Sequence, residues 1–311
     1  MLGTYGLFNL VESIMNRDWE RAFESWGQAP SQAEQEKCEN TERAVRKAIA
    51  TNAVLANRTN VFAQGSYANR TNVRQDSDVD ICMLCTDVCF ADLWNGLTDA
   101  DVGLTSHPYT YNQFKDDVQK ALSNYFGHAA VSRGNKAYDI HANTYRIDAD
   151  VVPCFEHIRY FRRADGSIGE NRGTEFRPDN GGQVINWPRQ SYDNGVQKNS
   201  DTGRRFKAVV RIMKRLRNQM VDEGIASAKG IPSFLNECLV WNVPNECFGH
   251  DTYTADVRYT IARLWNETRS IDTCGEWGEI NELKYLFRGQ SWTREQVNTF
   301  LQAAWDRIGF E

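Results

Sequence analysis

Apolar positions recur at helical spacing along much of the chain. Downstream of Ser31, residues Ala33, Cys38, Ala44, Val45, Ala48 and Ile49 form one greasy face between charged neighbours. Ser31 and Glu34 have the spacing of a capping box, so a helix starts there. Tyr111, Phe114, Val118, Leu122 and Tyr125 predict a second amphipathic helix. Short apolar runs at 61–63, 79–84, 137–140 and 145–152 predict strands. Beyond residue 203 helices prevail, at 204–223, 234–241, 256–269 and 293–308. The alternation predicts an α+β fold, with a mixed sheet flanked by helices, then a C-terminal helical lobe and a cleft between the two. It divides the chain into a core at 1–161 with N-terminal helices, a connecting region at 162–203 and a helical lobe at 204–311.

The connecting region differs in composition. Gly, Asn, Asp and Arg are frequent there, with apolar patches only around Val184-Ile185 and Trp187. A long irregular stretch of this kind predicts a lid or binding loop.

Length and composition narrow the function classes. At 311 residues and 41% hydrophobic, the chain can bury a large core. A net charge of −5 argues against a protein that coats nucleic acid. No apolar run approaches the roughly 18–20 residues of a membrane helix. Residues 1–20 do not read as a secretory signal, because an acid at Glu12 and the lack of a leading basic segment break the pattern. Eight scattered cysteines fit reduced thiols in cytoplasm. Cys82, Cys85 and Cys89 do not make a zinc site, since strand alternation sends Cys82 and Cys85 to opposite faces and no His-Cys pair completes the set.

The densest chemistry lies between residues 64 and 80. Gly65-Ser66 is a turn whose backbone can approach a triphosphate closely, with a hydroxyl donor beside it. Asp78 and Asp80, one residue apart at the start of a strand, point the same way. Two carboxylates on one edge repel unless a cation sits between them, and a hard divalent ion such as Mg2+ suits oxygen ligands shared with phosphates. Two-metal phosphoryl transfer needs a third acid, which the segment Arg146-Ile-Asp-Ala-Asp-Val-Val-Pro153 supplies. Asp148 and Asp150 share a face there, so geometry alone does not choose between them.

Seven of the fourteen residues from Arg204 to Arg217 are basic. Lys207, Arg211 and Lys214 fall within an arc of about 60° on a helix, beside a separate apolar arc. That cation row suits triphosphate oxygens, Lys214 above all; a merely solvated basic face is the plain alternative. Ser233, after Pro232, is placed as an N-cap, and a helix start of this kind also suits a phosphate. Phe234 either fills core or stacks on a base. The histidines show no spacing for a triad.

These pieces resemble the bacterial CD-NTase family, relatives of animal cyclic GMP–AMP synthase and oligoadenylate synthase. The matching residues are Gln64-Gly65-Ser66-Tyr67, Asp78-Val79-Asp80, Asp150-Val151-Val152-Pro153, Asn194 with Lys198-Asn199, the helix from Lys207 to Arg217, and Pro232-Ser233-Phe234 with Glu237-Cys238-Leu239. The resemblance implies a polymerase-beta-like nucleotidyltransferase core with Asp78, Asp80 and Asp150 as catalytic metal acids, binding Mg2+ or Mn2+. It implies nucleotide contacts from Gln64, Gly65, Ser66, Lys198, Lys214 and Ser233, with Phe234 stacking on a base and Asn194 in base recognition. The segment from Tyr192 to Asn199 is most like the clade that often uses pyrimidines, so ATP with UTP, another pyrimidine or a purine NTP is the expected substrate pair.

The implied product is a cyclic di- or trinucleotide, a second messenger that activates a downstream effector in anti-phage defence. A cytoplasmic monomer with no membrane attachment is expected. The zinc-binding insertion of the animal DNA sensor is missing, so direct DNA sensing is not expected. Two other readings compete: a template-independent enzyme extending RNA or adenylylating a small molecule, and a catalytically inactive nucleotide sensor. The acidic net charge speaks against an RNA primer track, and the three aspartates speak against the inactive sensor.

Overall fold

The structure is a computed structural model that describes residues 18–73 and 78–310. Most of the N-terminal stretch weighed above as a secretory signal lies outside the described residues. In chain order the main elements are α1 (Trp19–Trp26), α2 (Gln32–Ala50), β1 (Thr59–Ala63), α3 (Gly65–Asn69), β2 (Val79–Leu93), α4 (Tyr111–Phe126), β3 (Val131–Arg133), β4 (Tyr138–Ile140), β5 (Ala149–Arg162), β6 (Ile168–Phe176), β7 (Val184–Asn186), α5 (Pro188–Asp201), α6 (Arg205–Asp222), α7 (Ser233–Trp241), α8 (Tyr253–Glu267) and α9 (Arg294–Ile308). They fall into two compact units. One comprises Ser31–Ala68 and Arg74–Arg189; the other comprises Met1–Pro30, Asn69–Val73 and Gln190–Glu311.

The first unit is built on a mixed sheet. β2 and β5 pair in parallel, and every other pairing is antiparallel, in the order β1-β2-β5-β4-β3 with β6 and β7 continuing from β5. β2 runs to Leu93, past the expected end at 84, because a register shift between Cys85 and Cys89 absorbs the polar Thr86-Asp87 and pairing resumes. β5 starts at Ala149, later than expected. Asn143 Oδ1 accepts from the Tyr145 and Arg146 amides at 2.9 and 3.1 Å, and Asp148 Oδ1 accepts from the Ala142 amide at 2.6 Å, which folds 142–148 into turns. Val151, Val152, Cys154, Phe155 and Ile158 are buried, as expected for a central strand covered on both faces.

The helix expected after Ser31 is present, and Ser31 Oγ accepts from the Glu34 amide at 3.2 Å. Its face of Cys38, Val45, Ala48 and Ile49 joins Phe114, Val118 and Leu122 of α4 in one core with the sheet. Phe114 and Phe155 rings lie 5.6 Å apart within it.

Residues 162–203 are not an irregular lid. They form β6, β7 and α5. The glycines that suggested looseness have local causes. Asp165 Oδ1 accepts from the Ser167 amide at 2.9 Å in a tight hairpin turn, and a Cβ on Gly173 would come within 2.4 Å of the Asn186 carbonyl oxygen.

The second unit is helical and centres on α6. Phe206, Val209, Val210, Ile212, Met213, Leu216 and Met220 of this helix pack among residues of α1, α7, α8 and α9. Thr293 Oγ1 and Gln296 Oε1 cap the start of α9 reciprocally. No helix among the described residues is long and apolar enough to cross a membrane.

Candidate active site

Three carboxylates stand in a row across neighbouring strands. Asp80 is second in β2, and the parallel register sets it opposite Asp150 of β5. Asp150 is in turn opposite Asp139 of β4. Asp78 directly precedes β2 and completes the group, and its charge acts on Asp80 and Asp150. Of the two acids weighed in the sequence, Asp150 is in register with Asp80, whereas Asp148 Oδ1 accepts from the Ala142 amide. Asp139 was missed. The signal for it was an acid between two buried residues, Tyr138 and Ile140, on a strand.

Electrostatics mark the row as chemically poised. Burial, then the neighbouring Asp78 charge, pushes Asp80 up to about 6. Burial, then the charges of Asp78, Asp80 and Asp139, pushes Asp150 up to about 6. Asp78 is raised as well, by burial and by Asp148 and Asp139. Among the described residues no three His, Cys, Asp or Glu side chains already sit at closed metal-ligand spacing. What joins the aspartates is register and mutual repulsion.

Hard carboxylate oxygens whose charge is disfavoured by their neighbours are the donor set that a divalent cation relieves. Cys82 and Cys85, further along β2, are buried free thiols, and burial pushes Cys85 up to about 12.

The Gly-Ser turn lies against the acids. The Gln64 amide donates to the Asp80 carbonyl at 2.8 Å. Gly65 adopts φ +67, and a Cβ there would sit 2.5 Å from Asp80 Oδ2. Only glycine fits both the left-handed backbone and the contact. Ser66 follows as the second residue of α3.

The remaining candidates lie in the helical unit. Asn194 of α5 donates from Nδ2 to the Ile280 carbonyl at 2.7 Å. Ser233 opens α7, and Phe234 beside it is 41% exposed, so it is not a core residue. Lys207 of α6 lies 5.7 Å from the Tyr192 ring centroid, and burial lowers its pKa. Two lysines expected to reach phosphate are turned inward. Lys198 donates to the Val243 carbonyl at 2.8 Å and Asn245 Oδ1 at 2.9 Å. Lys214 is 2% exposed and donates to Glu237 Oε2 at 2.7 Å.

A Gly-Ser turn packed on paired aspartates, with a third acid on the adjacent parallel strand, defines a polymerase-beta-like nucleotidyltransferase. Residues 193–309 match the cGAS/DncV-like nucleotidyltransferase C-terminal helical domain. The chain is 47% identical over 298 residues to the cyclic dipyrimidine nucleotide synthase CdnE of Legionella pneumophila, covering 94% of this chain and 99% of that protein. It is 42% identical to the enzyme of the same name from Cecembia lonarensis, covering 92% and 97%. Among solved structures, the Elizabethkingia meningoseptica CdnE cyclic dinucleotide synthase with GTP and Apcpp superposes with a TM-score of 0.77 at 33% identity, over 94% and 99% of the two chains. The Rhodothermus marinus CdnE c-UMP-AMP synthase with Apcpp and Upnpp gives 0.81 at 28% identity, over 94% and 98%. The chain belongs to the bacterial CD-NTase family, and it is an enzyme of the nucleotidyltransferase class.

Proposed function

We propose that this enzyme condenses two nucleoside triphosphates, at least one of them a pyrimidine nucleotide, into a cyclic dinucleotide. The observation that carries the chemistry is the Asp80–Asp150 register with Gly65 packed against Asp80. Two of the relatives carry the name cyclic dipyrimidine nucleotide synthase, which supports the pyrimidine choice. Each of two condensations forms a phosphorus–oxygen bond from a ribose hydroxyl to an α-phosphate and breaks the bond to the leaving pyrophosphate. The second closes the ring.

Asp78, Asp80 and Asp150 would hold Mg2+ or Mn2+, which supplies positive charge to the attacking and leaving oxygens when bound. The chain's own part is positioning. Gly65 and the Gln64 amide fix Asp80, the Ser66 hydroxyl and the start of α7 at Ser233 offer donors to phosphate oxygens, and Phe234 offers a ring to a base. Asn194 is proposed to read the base.

The product would signal to an effector in anti-phage defence. Eight cysteines without a disulfide fit a cytoplasmic protein.

The test is incubation with each pair of labelled NTPs and Mg2+ or Mn2+, without primer, followed by phosphatase treatment and mass spectrometry. A phosphatase-resistant cyclic product containing uridine or cytidine is expected. Only linear or primer-dependent products would overturn the reading.

A further inference from the structure

The segment Asn69–Val73 lies between the Gly65-Ser66 turn and Asp78 in sequence, yet it belongs to the helical unit. Its anchoring there is unusually complete. Glu237 of α7, 5% exposed, accepts from Thr71 Oγ1 at 2.8 Å and from Lys214 Nζ at 2.7 Å through Oε2. Its other oxygen lies 3.4 Å from Asn69 Nδ2, at the last residue of α3. Lys214 also donates to the Thr71 carbonyl and hydroxyl, both at 3.2 Å. Arg211, one turn earlier on α6, donates to the Arg70 carbonyl at 2.7 Å and to the Gly27 carbonyl at 3.0 Å from Nε. Two cations on one helix face thus hold two consecutive carbonyls, and one carboxylate ties both the segment and the second cation.

Two features favour a geometric role for this network. A buried ion pair is seldom better for stability than apolar residues of the same volume, and the interior around α6 is apolar. Arg70 is held at φ +56, a backbone conformation that L residues adopt at a cost and keep only when their surroundings over-determine it. The burial of Thr71 and Asn72 is similarly complete, at 0% and 5% exposure.

We propose that Glu237, through Lys214 and Thr71, is a positioning residue for nucleotidyl transfer, holding the segment Asn69–Val73 that follows the Gly65-Ser66 turn in the chain. The proposal rests on the synthase activity proposed above. It gives Lys214 a defined duty: its ammonium holds Thr71, in the segment that follows the Gly-Ser turn. The carboxylate is the organising group because it touches Asn69, Thr71 and Lys214 together.

Glu237→Ala and Glu237→Gln test it, read by steady-state NTP kinetics and by hydrogen–deuterium exchange of the peptide spanning Asn69–Val73. Ala removes every acceptor, whereas Gln keeps one oxygen for Thr71 and Lys214. Faster exchange in that peptide is expected with Ala, together with a fall in kcat/KM of about 100-fold, the scale of loss for a displacement of about 1 Å near reacting groups. Partial rescue of both is expected with Gln. If the Ala protein does not fold, Gln alone carries the test: faster exchange with lower kcat/KM supports the proposal. Either change without the other, or neither, overturns it. A wild-type protein that makes no cyclic product would refute the activity, while the exchange result would still report whether Glu237 anchors the segment.

Discussion

Gly65 lies so close to the Asp80 carboxylate that position 65 has no room for a side chain. A Cβ on residue 65 would lie 2.5 Å from Asp80 Oδ2, and the backbone there is left-handed at φ +67. Gly65→Ala must therefore push the carboxylate aside as well as strain the turn, with a backbone cost of about 1 kcal/mol. Product formation should fall by roughly 100-fold while the melting temperature drops only slightly. Near-normal turnover in this variant would mean that Asp80 need not stay where Gly65 leaves it.

Removing the acids should separate chemistry from folding. Asp78→Asn with Asp80→Asn, and Asp150→Asn alone, should abolish pyrophosphate release while circular dichroism stays unchanged. Mutual repulsion is reduced in these variants, so their metal-free melting temperature should equal or exceed that of the parent. Residual cyclic product from the double variant would take these carboxylates out of the mechanism.

The raised acids also set a pH dependence. Asp80 and Asp150 lie near 6 in the folded protein against 3.8 as the ordinary value, so the folded state holds their protons more tightly than the unfolded chain. Their contribution to metal-free stability is present in full below about pH 4 and is lost as pH rises through about 6. The metal-free stability gap between wild type and Asp80→Asn should therefore widen in favour of the variant from about pH 4 to about pH 7. Divalent-metal affinity should move oppositely, weakening as pH falls below about 6 because protons compete for the same oxygens. Denaturant titrations and metal titrations over that range measure both, and a flat profile in each would contradict the assignment.

Base choice should respond to Asn194 without loss of the chemical step. Its side chain is oriented by the Ile280 carbonyl at 2.7 Å, which limits how the amide can turn. Asn194→Ala should raise the KM for the pyrimidine nucleotide by about tenfold and leave kcat with a purine pair nearly unchanged. Competition between UTP and GTP in one reaction reads this directly, and unaltered product ratios would exclude the residue.

A buried cluster far along β5 should affect stability alone. His157 Nδ1 lies 2.8 Å from Glu175 Oε2, and both residues are almost fully buried. His157→Ala would leave the Glu175 carboxylate without that partner and should cost roughly 3 kcal/mol in denaturant unfolding. The KM values for NTPs should not move.

The sequence carried the aspartate pair and the Gly-Ser turn because both are local: strand alternation puts Asp78 and Asp80 on one side, and a turn signals itself. The Ser31 cap and the α4 stripe were legible for the same reason. Asp139 was not, because its significance comes from the β4–β5 register, which joins residues that no periodicity links. The basic row on α6 was visible as a row, but the partners of Arg211 and Lys214 were hidden. Gly27, Arg70, Thr71 and Glu237 are distant in sequence, and only folding turns a solvated-looking face into a buried one. In 162–203, composition misled, because Gly173 is dictated by a close approach of Asn186 rather than by a loop.

Asp80 and Asp150 lie on strands and Asp78 just before one, while Asn194, Ser233 and Phe234 lie on helices. On the proposed roles of Asn194 and Phe234, changes of base preference would fall on helices and leave the strand-borne carboxylates in place.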